Sequence, residues 1–270
     1  MKAWRLLKLD VKNAFANMAI DEAILLARMR GIVPNTIRFY RWKPSAVSIG
    51  RFQEVSKEVY VENCRKYGVD IVRRISGGGT VYHDYEGEIT YSVIVDESEL
   101  GSRDIVSTYN LICNGLIEAA RILDVKADFN PGNPKQCPNI TINGKKFSGS
   151  AQSRRGPFLL QHGTFLVDVD LKKMFTFLRV PWAKSISDVL PVAERKITSI
   201  RRELNSSISL MEAYKALVKG FKKALNIELV EGELTSYELK LAEKLRREKY
   251  EKDSWNIKGI ETLKFTSIPS

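Results

Sequence analysis

The chain has 270 residues, 44% of them hydrophobic, 28% charged and 9% aromatic, with a formal net charge of +11. That composition can fill a sizeable core and excludes a disordered chain, and no apolar run approaches the ~18–20 residues needed to cross a bilayer. Three cysteines and two histidines are too few and too scattered for a disulfide framework or a structural metal site; residues 1–10 lack the apolar stretch and cleavage site of a secretory signal, so a cytoplasmic globule is expected.

Residues 4–9 read as a strand, and residues 17–30, rich in Ala, Leu, Met and Glu, as a helix stopped at Gly31. Residues 36–42 alternate aromatic and charged side chains as a strand does, and residues 46–49 form a second short strand before Gly50. Residues 57–67 read as one helix ending at Gly68, residues 71–74 as a strand running into three glycines, and residues 88–95 as a further strand. Tyr109, Ile112, Cys113, Leu116, Ala120 and Leu123 fall on one face of a helix. A loop over 129–138 carries three prolines and a glycine, after which strands 140–142 and 145–147 flank the hairpin dipeptide Asn143-Gly144. Residues 158–169 read as a long strand and residues 208–225 and 235–247 as helices, the second opening on a capping box, Thr235 with Glu238. No repeat and no proline- or serine-rich linker divides the chain, so one α+β domain is expected, its C-terminal helices a peripheral extension.

The positive balance points to an acidic partner: nucleic acid, an acidic protein domain, a nucleotide or a phosphopantetheine carrier. No RNA-binding or helix-turn-helix signature is present. The densest basic run, Lys244, Arg246, Arg247 and Lys249, reads as a solvated helix face.

Two segments carry candidate chemistry. In the first, Arg73-Arg74-Ile75-Ser76-Gly77-Gly78-Gly79-Thr80-Val81-Tyr82-His83-Asp84, a triple glycine lets backbone approach a ligand closely and turn N–H groups toward an anion or carbonyl. The two arginines ahead of it offer charge to a phosphate or carboxylate. The second, Gly144-Lys145-Lys146-Phe147-Ser148-Gly149-Ser150-Ala151-Gln152, is followed by Gln161-His162-Gly163-Thr164. Lys146 there can hold an ammonium over an acyl or phosphoryl oxygen, beside a narrow wall of small residues. Both histidines of the chain lie in these segments. Cys64 and Cys113 read as packing residues. Cys137 follows the Pro/Gly loop, precedes Pro138, and stands across a hairpin from Lys146 as a candidate nucleophile.

These segments resemble the biotin/lipoate protein ligase superfamily, in its lipoate branch. Supporting pieces occur in the family's order: Asn17-Met18-Ala19-Ile20-Asp21-Glu22, Arg38-Phe39-Tyr40-Arg41-Trp42, Ser48-Ile49-Gly50-Arg51-Phe52-Gln53, and a tail from Lys249-Tyr250 to Trp255-Asn256. The resemblance implies a mixed β-sheet flanked by helices, one catalytic domain over 1–256 with a C-terminal tail over 257–270, and acyl transfer to a lysine of a lipoyl domain. Two reactions share that scaffold. An octanoyltransferase takes an octanoyl thioester from an acyl carrier and holds it on a cysteine, without a cofactor. A lipoate–protein ligase activates lipoate with ATP and Mg²⁺ as an acyl adenylate. Cysteine-dependent octanoyltransferases similar to this chain carry their cysteine in the 129–138 loop, often as Cys-Pro, whereas ligases tend to show Asn-Asp where this chain has Pro138-Asn139. The spacing from Cys137 to Lys146 is shorter than in the bacterial transferases. The chain stops soon after Trp255, which fits a transferase and equally a split ligase with a separate accessory subunit.

The expected mechanism follows the transferase. Cys137 and Lys146 are the catalytic residues, with Lys146 and backbone N–H groups near Ser150 and Ala151 holding the oxyanion. The substrate pocket is expected from Arg74, Ser76, Gly77, Gly78, Gly79, Val81, His83, Asp84, Gly149, Ser150, Ala151, His162, Gly163 and Thr164, with no metal. Expected partners are lipoyl domains of 2-oxoacid dehydrogenase complexes or the glycine-cleavage H protein, and neither nucleic acid nor membrane. The alternative is the ATP-dependent ligase, with Lys146 at the α-phosphate and Arg74 on the acyl adenylate.

Overall fold

The computed structural model describes residues 2–133 and 136–260. In chain order the elements are β1 (Lys2–Lys12), α1 (Ala14–Met29), β2 (Thr36–Trp42), β3 (Ala46–Ile49), α2 (Val55–Glu58), α3 (Val61–Tyr67), β4 (Asp70–Arg73), β5 (Val81–His83), β6 (Glu88–Asp96), α4 (Ile105–Ile122), β7 (Asp128–Asn130), β8 (Asn139–Ile142), β9 (Lys145–Arg155), β10 (Phe158–Leu166), α5 (Leu171–Phe177), α6 (Ile186–Lys196), α7 (Ile200–Leu204), α8 (Leu210–Ala224), β11 (Ile227–Glu231), α9 (Ser236–Leu245), a π-helical turn (Arg246–Tyr250) and α10 (Asp253–Asn256). The main sheet runs β11-β1-β2-β6-β10-β9-β8-β7, parallel from β11 through β2 and antiparallel onward. A smaller sheet, β4-β3-β5, is mixed as well. The fold is therefore α+β, a mixed sheet flanked by helices.

Strand alternation assigns each face of the main sheet to its own helical layer. Ile37, Phe39, Ile89, Tyr91, Val93 and Val95 pack with Leu116 of α4 and Phe221 of α8. The neighbouring positions Tyr40, Trp42 and Ile94 pack with Ile24 of α1 and Leu241 of α9. The Asn143-Gly144 turn has φ of 51° and 76°, the doubly left-handed pair that a two-residue hairpin requires.

Several expectations need correction. The helix read over 57–67 is two, because Val59 bridges to Leu178 and the Tyr60 N–H donates to the Phe177 carbonyl. The strand read over 158–169 stops at Leu166, where the Val167 and Asp168 N–H groups both turn to the Gly87 carbonyl. The C-terminal helices are not peripheral. Tyr250 and Trp255 are fully buried against the α1 side of the sheet. Lys249, read as solvated, is 1% exposed, and its Nζ donates to Glu22 Oε2 at 2.9 Å. Glu22 also accepts from the Tyr250 hydroxyl at 2.6 Å. Of the expected 257–270 tail, residues 261–270 lie outside the described residues; the Ile257 and Gly259 carbonyls accept from Arg73 and Arg51.

Candidate active site

The glycine segment leaves β4 and crosses the mouth of the space between the two sheets. Its seat is tight: a methyl group on Gly50 would lie 2.1 Å from the Gly78 carbonyl oxygen, so position 50 has no room for a side chain. Arg74 fixes the segment from beneath. Its Nη2 donates to the Gly77 and Gly79 carbonyls at 3.0 and 2.9 Å, its Nη1 to Ser48 Oγ at 2.7 Å, and its Nε to Ser76 Oγ at 3.3 Å. Burial lowers the Arg74 pKa to about 10, against the opposing effects of Tyr40, Cys137 and Tyr109.

Two hydrogen-bonded chains converge on that arginine. Ser48 pairs with His83 Nε2 at 2.7 Å, and His83 Nδ1 meets Glu88 at 2.9 Å. Ser76 pairs with His162 Nε2 at 2.6 Å, and His162 Nδ1 faces Asp21 Oδ2 at 3.4 Å. The carboxylates accept from Nδ1–H, so each serine, accepting from Arg74, donates its hydroxyl to Nε2. Burial is the main influence on His162 and lowers its pKa; Asp21 opposes it. Arg73 is likewise spent inside the protein, on the Gly50, Arg51, Gln53, Trp255 and Ile257 carbonyls. Of the arginine pair expected to face an anionic ligand, Arg73 holds backbone carbonyls, whereas Arg74 holds two serine hydroxyls beside its two carbonyls and lines the cavity above.

Above this floor lies a cavity of about 900 Å³. It brings together Arg74, Gly78, Gly79, Val81, His83, Cys137, Lys146, Gly149, Ser150, Ala151, His162, Gly163 and Thr164. Ser76 and Gly77 are not among its lining residues and act through Arg74 and His162. Asp84 is also not among them: its carboxylate takes Lys173 Nζ at 2.7 Å. The sequence reasoning missed Met18, Tyr40, Trp42, Ile105, Val106 and Tyr109, which supply much of the apolar wall. Ile105 and Val106, exposed apolar residues opening α4, were the available signal.

Cys137 and Lys146 reach this cavity from different elements, a loop and β9. Gly132, at φ 75°, lets the loop fold on itself, since a methyl there would lie 2.2 Å from the Gln136 carbonyl oxygen. That fold presents the Cys137 sulfur, which would sit 3.7 Å from a methyl built on Gly78. On β9 an extra residue separates the Thr141–Lys146 pair from the Ile140–Ser148 pair. This bulge sends Phe147 into the core against Phe165 and leaves Lys146 on the cavity wall. A methyl on Gly149 would lie 3.1 Å from Lys146 Nζ. Lys146 is solvent-accessible because it faces an open cavity, yet the surrounding walls crowd its ammonium. That desolvation lowers its pKa, Arg74 adds to the effect, and the Cys137 thiolate opposes it. Cys64 and Cys113 are buried, and desolvation pushes both thiols up to about 11, which fits packing and not attack.

Beyond Gly149, β9 keeps β10 as its strand partner while β8 has ended. The Gly149 N–H turns toward β10, to Thr164 Oγ1 at 3.2 Å, and the Gln152 N–H turns away from it, to the Tyr109 hydroxyl. Strand alternation then aims the Ser150 N–H away from β10 and the Ala151 N–H toward it. The expected oxyanion contact at Ala151 is thereby taken by the sheet.

Comparison with known proteins places these features in context. Residues 13–222 match the family described as lipoyl protein ligase A/B catalytic domain. The octanoyltransferase LipM of Brevibacillus brevis is 35% identical over 277 residues, covering 96% of this chain and 100% of its own length. LipM of Bacillus subtilis is 33% identical, covering 95% and 99%. Among solved structures, the bipartite lipoate protein ligase of Thermoplasma acidophilum, studied with its E2 lipoyl domain, has a TM-score of 0.83 at 29% identity, over 97% of this chain and 99% of that one. A lipoate-protein ligase A bound with ATP has a TM-score of 0.80 at 29% identity, over 96% and 100%.

Proposed function

The chain belongs to the lipoyl protein ligase A/B catalytic-domain family, as an acyltransferase of the octanoyltransferase type, and we propose that it carries an octanoyl or lipoyl group to the acceptor lysine of lipoyl domains through a thioester on Cys137. The acyl chain lies along the apolar wall formed by Met18, Trp42, Ile105 and Tyr109, with its thioester carbonyl between Cys137 and Lys146. The Cys137 thiolate attacks the carbonyl carbon, and the oxyanion is held by the Lys146 ammonium and the Ser150 N–H. Collapse breaks the bond to the donor sulfur, which leaves as a thiol once protonated. The acceptor amine then attacks the enzyme thioester, forming an amide and releasing Cys137. That amine must shed a proton, and the lowered pKa of Lys146 raises the neutral share able to take it.

The observation that carries this reading is the meeting of Cys137 and Lys146 on one cavity, beside a glycine segment whose carbonyls are already tied down. The expected acceptors are lipoyl domains of 2-oxoacid dehydrogenase complexes or the H protein, and the donor an acyl carrier. No helix of the described residues is long and apolar enough to cross a membrane.

A second reading, an ATP-dependent ligase subunit with an accessory partner, draws on the likeness to the ligase structures. Among the described residues no group of three His, Cys, Asp or Glu side chains is placed to hold a metal ion; the Mg²⁺ of a nucleotide needs only one or two carboxylates beside the phosphates. Incubation with apo lipoyl domain and either octanoyl thioester, or lipoate with ATP and Mg²⁺, separates the two by mass spectrometry. The transferase account expects modification from the thioester alone and its loss in Cys137→Ser. Normal ligation by Cys137→Ser with lipoate and ATP would overturn it.

A further inference from the structure

Lys146 stands at a bulge of β9, and a bulge leaves one residue unpaired and the strand locally free to bend. The slack is taken up from α7. The Thr198 N–H donates to the Lys146 carbonyl at 3.0 Å, and Ile197 forms an isolated parallel bridge with Lys146. Thr198 is 1% exposed, and its hydroxyl donates to Glu203 Oε1 at 2.6 Å. The other carboxylate oxygen, Glu203 Oε2, accepts from Asn143 Nδ2 at 2.8 Å. Asn143 lies three residues ahead of Lys146, in the turn between β8 and β9. One carboxylate thus ties the turn that leads into Lys146 to the residue that takes the Lys146 carbonyl.

The seat of α7 itself does not depend on that carboxylate. Ile200 is fully buried in the core shared with α4 and α8. The Arg201 N–H donates to the Val167 carbonyl at 2.9 Å, and its guanidinium takes Asp168 Oδ2 at 3.1 Å and the Ile208 carbonyl at 2.8 and 2.9 Å. The helix is a fixed post, and Glu203 links it to the hairpin. Glu203 is not among the residues that line the cavity.

We propose that Glu203 is a positioning residue for the transfer reaction, its carboxylate clasping Asn143 and Thr198 so that the bulged segment presents Lys146 to the cavity. The kinetic consequence rests on the thioester reading above; the placement of Lys146 does not. Little latitude is left at the ammonium. A methyl built on Gly149 would lie 3.1 Å from its Nζ, and Arg74 and Cys137 face it as charged and titratable neighbours. A backbone shift of about 1 Å carries the ammonium off the thioester carbonyl, and a misplacement of that size can cost about 10²-fold in rate. The same shift admits water to an ammonium whose pKa is lowered mainly by burial.

The test uses the full chain carrying Glu203→Ala, Glu203→Gln or Thr198→Val. Two quantities are measured: transfer from octanoyl-pantetheine to apo lipoyl domain, and the pH midpoint at which the Lys146 amine reacts with trace acetic anhydride, read by peptide mass spectrometry. Glu203→Ala is expected to lower kcat about ten- to hundredfold with the donor KM within about twofold, and to raise the Lys146 midpoint toward the ordinary lysine range. Glu203→Gln loses the charge and keeps a hydrogen-bonding group for each partner once the Asn143 amide flips, so it should retain at least about half the parent kcat and the parent midpoint. Thr198→Val keeps the shape, cuts the clasp on one side, and should lower kcat about three- to tenfold; it carries the test if the alanine variant does not fold. Loss of a nearby negative charge would lower the midpoint, so the direction of the change separates placement from electrostatics. Parent kcat and midpoint in both Glu203→Ala and Thr198→Val would overturn the proposal, as would a Glu203→Gln chain impaired as deeply as Glu203→Ala. Failure of the underlying reading looks different: the parent chain takes octanoate from no thioester, or Cys137→Ala transfers it at the normal rate, while the Lys146 midpoint still rises in Glu203→Ala.

Discussion

Lys146 and Arg74 are cations on the wall of one cavity, yet they do different work. Arg74 places donors on two serines and two glycine carbonyls, so it braces the glycine segment, while its charge still reaches Lys146. Lys146 lines the same cavity and, in the proposed reaction, is the cation set against the thioester carbonyl. Lys146→Met is therefore expected to slow transfer about 10²–10³-fold, the usual loss of one oxyanion donor, at little cost in stability; rapid-quench kinetics beside urea denaturation checks both. His162 sets a pH signature of its own. Its folded pKa lies below its unfolded value, so the unfolded chain binds the extra proton first. Its contribution is fully present above about pH 6.5 and is lost as pH falls from there toward the folded value. Stability should decline as pH falls below about 6.5, and His162→Gln should flatten that decline in urea titrations. At this scale the sequence spoke clearly about Cys137 and Lys146, because a lysine after a hairpin and a cysteine in a Pro/Gly loop are local patterns. It marked Arg74 as a charge for a ligand and not as a brace, because its partners on β3 and on the glycine carbonyls exist only after folding.

Among the elements, the glycine segment depends on close backbone approach, with Gly50 pressed under Gly78. Gly50→Ala should displace the segment and cost about 1–3 kcal/mol, with transfer falling at least about tenfold because Arg74 and Cys137 share that floor; denaturation and steady-state kinetics read the two effects. The π-helical turn is locked differently, through Lys249 and Tyr250 on the buried Glu22 carboxylate. Lys249→Met should cost about 1–3 kcal/mol by removing one cation from that carboxylate, less than a fully broken buried pair because Arg155 Nη2 remains 3.2 Å from Glu22 Oε1; urea denaturation measures it. Periodicity made α1, α4 and α8 legible, and the Asn143-Gly144 turn fixed the β8–β9 hairpin. The same logic passed over α5, which has seven residues, and α6, which carries Pro191 inside its length. It also read the run ending at Lys249 as solvated, since a charge pattern does not reveal a partner more than two hundred positions away in the chain.

Over the whole molecule, the mixed sheet separates two tasks. The α4–α8 face holds a sealed core, while the opposite face, with the small sheet, carries the polar chains that brace the glycine segment. The net charge of +11 suits an acidic acceptor domain and acts mainly through encounter. Raising ionic strength should lower kcat/KM for the lipoyl domain and leave kcat and the KM for an uncharged thioester nearly unchanged. The fold class was readable at this scale from alternating strands and helices; the cavity was not, since it arises where α1, α4, β9, β10 and the glycine segment meet. The central claim is that the acyl group rests on Cys137 between donor and acceptor. Mixing the chain with an octanoyl thioester, acceptor absent, and mapping peptides by mass spectrometry should find one octanoyl group on Cys137, discharged when apo lipoyl domain is added. A modified lipoyl domain with Cys137 unmodified throughout would contradict it.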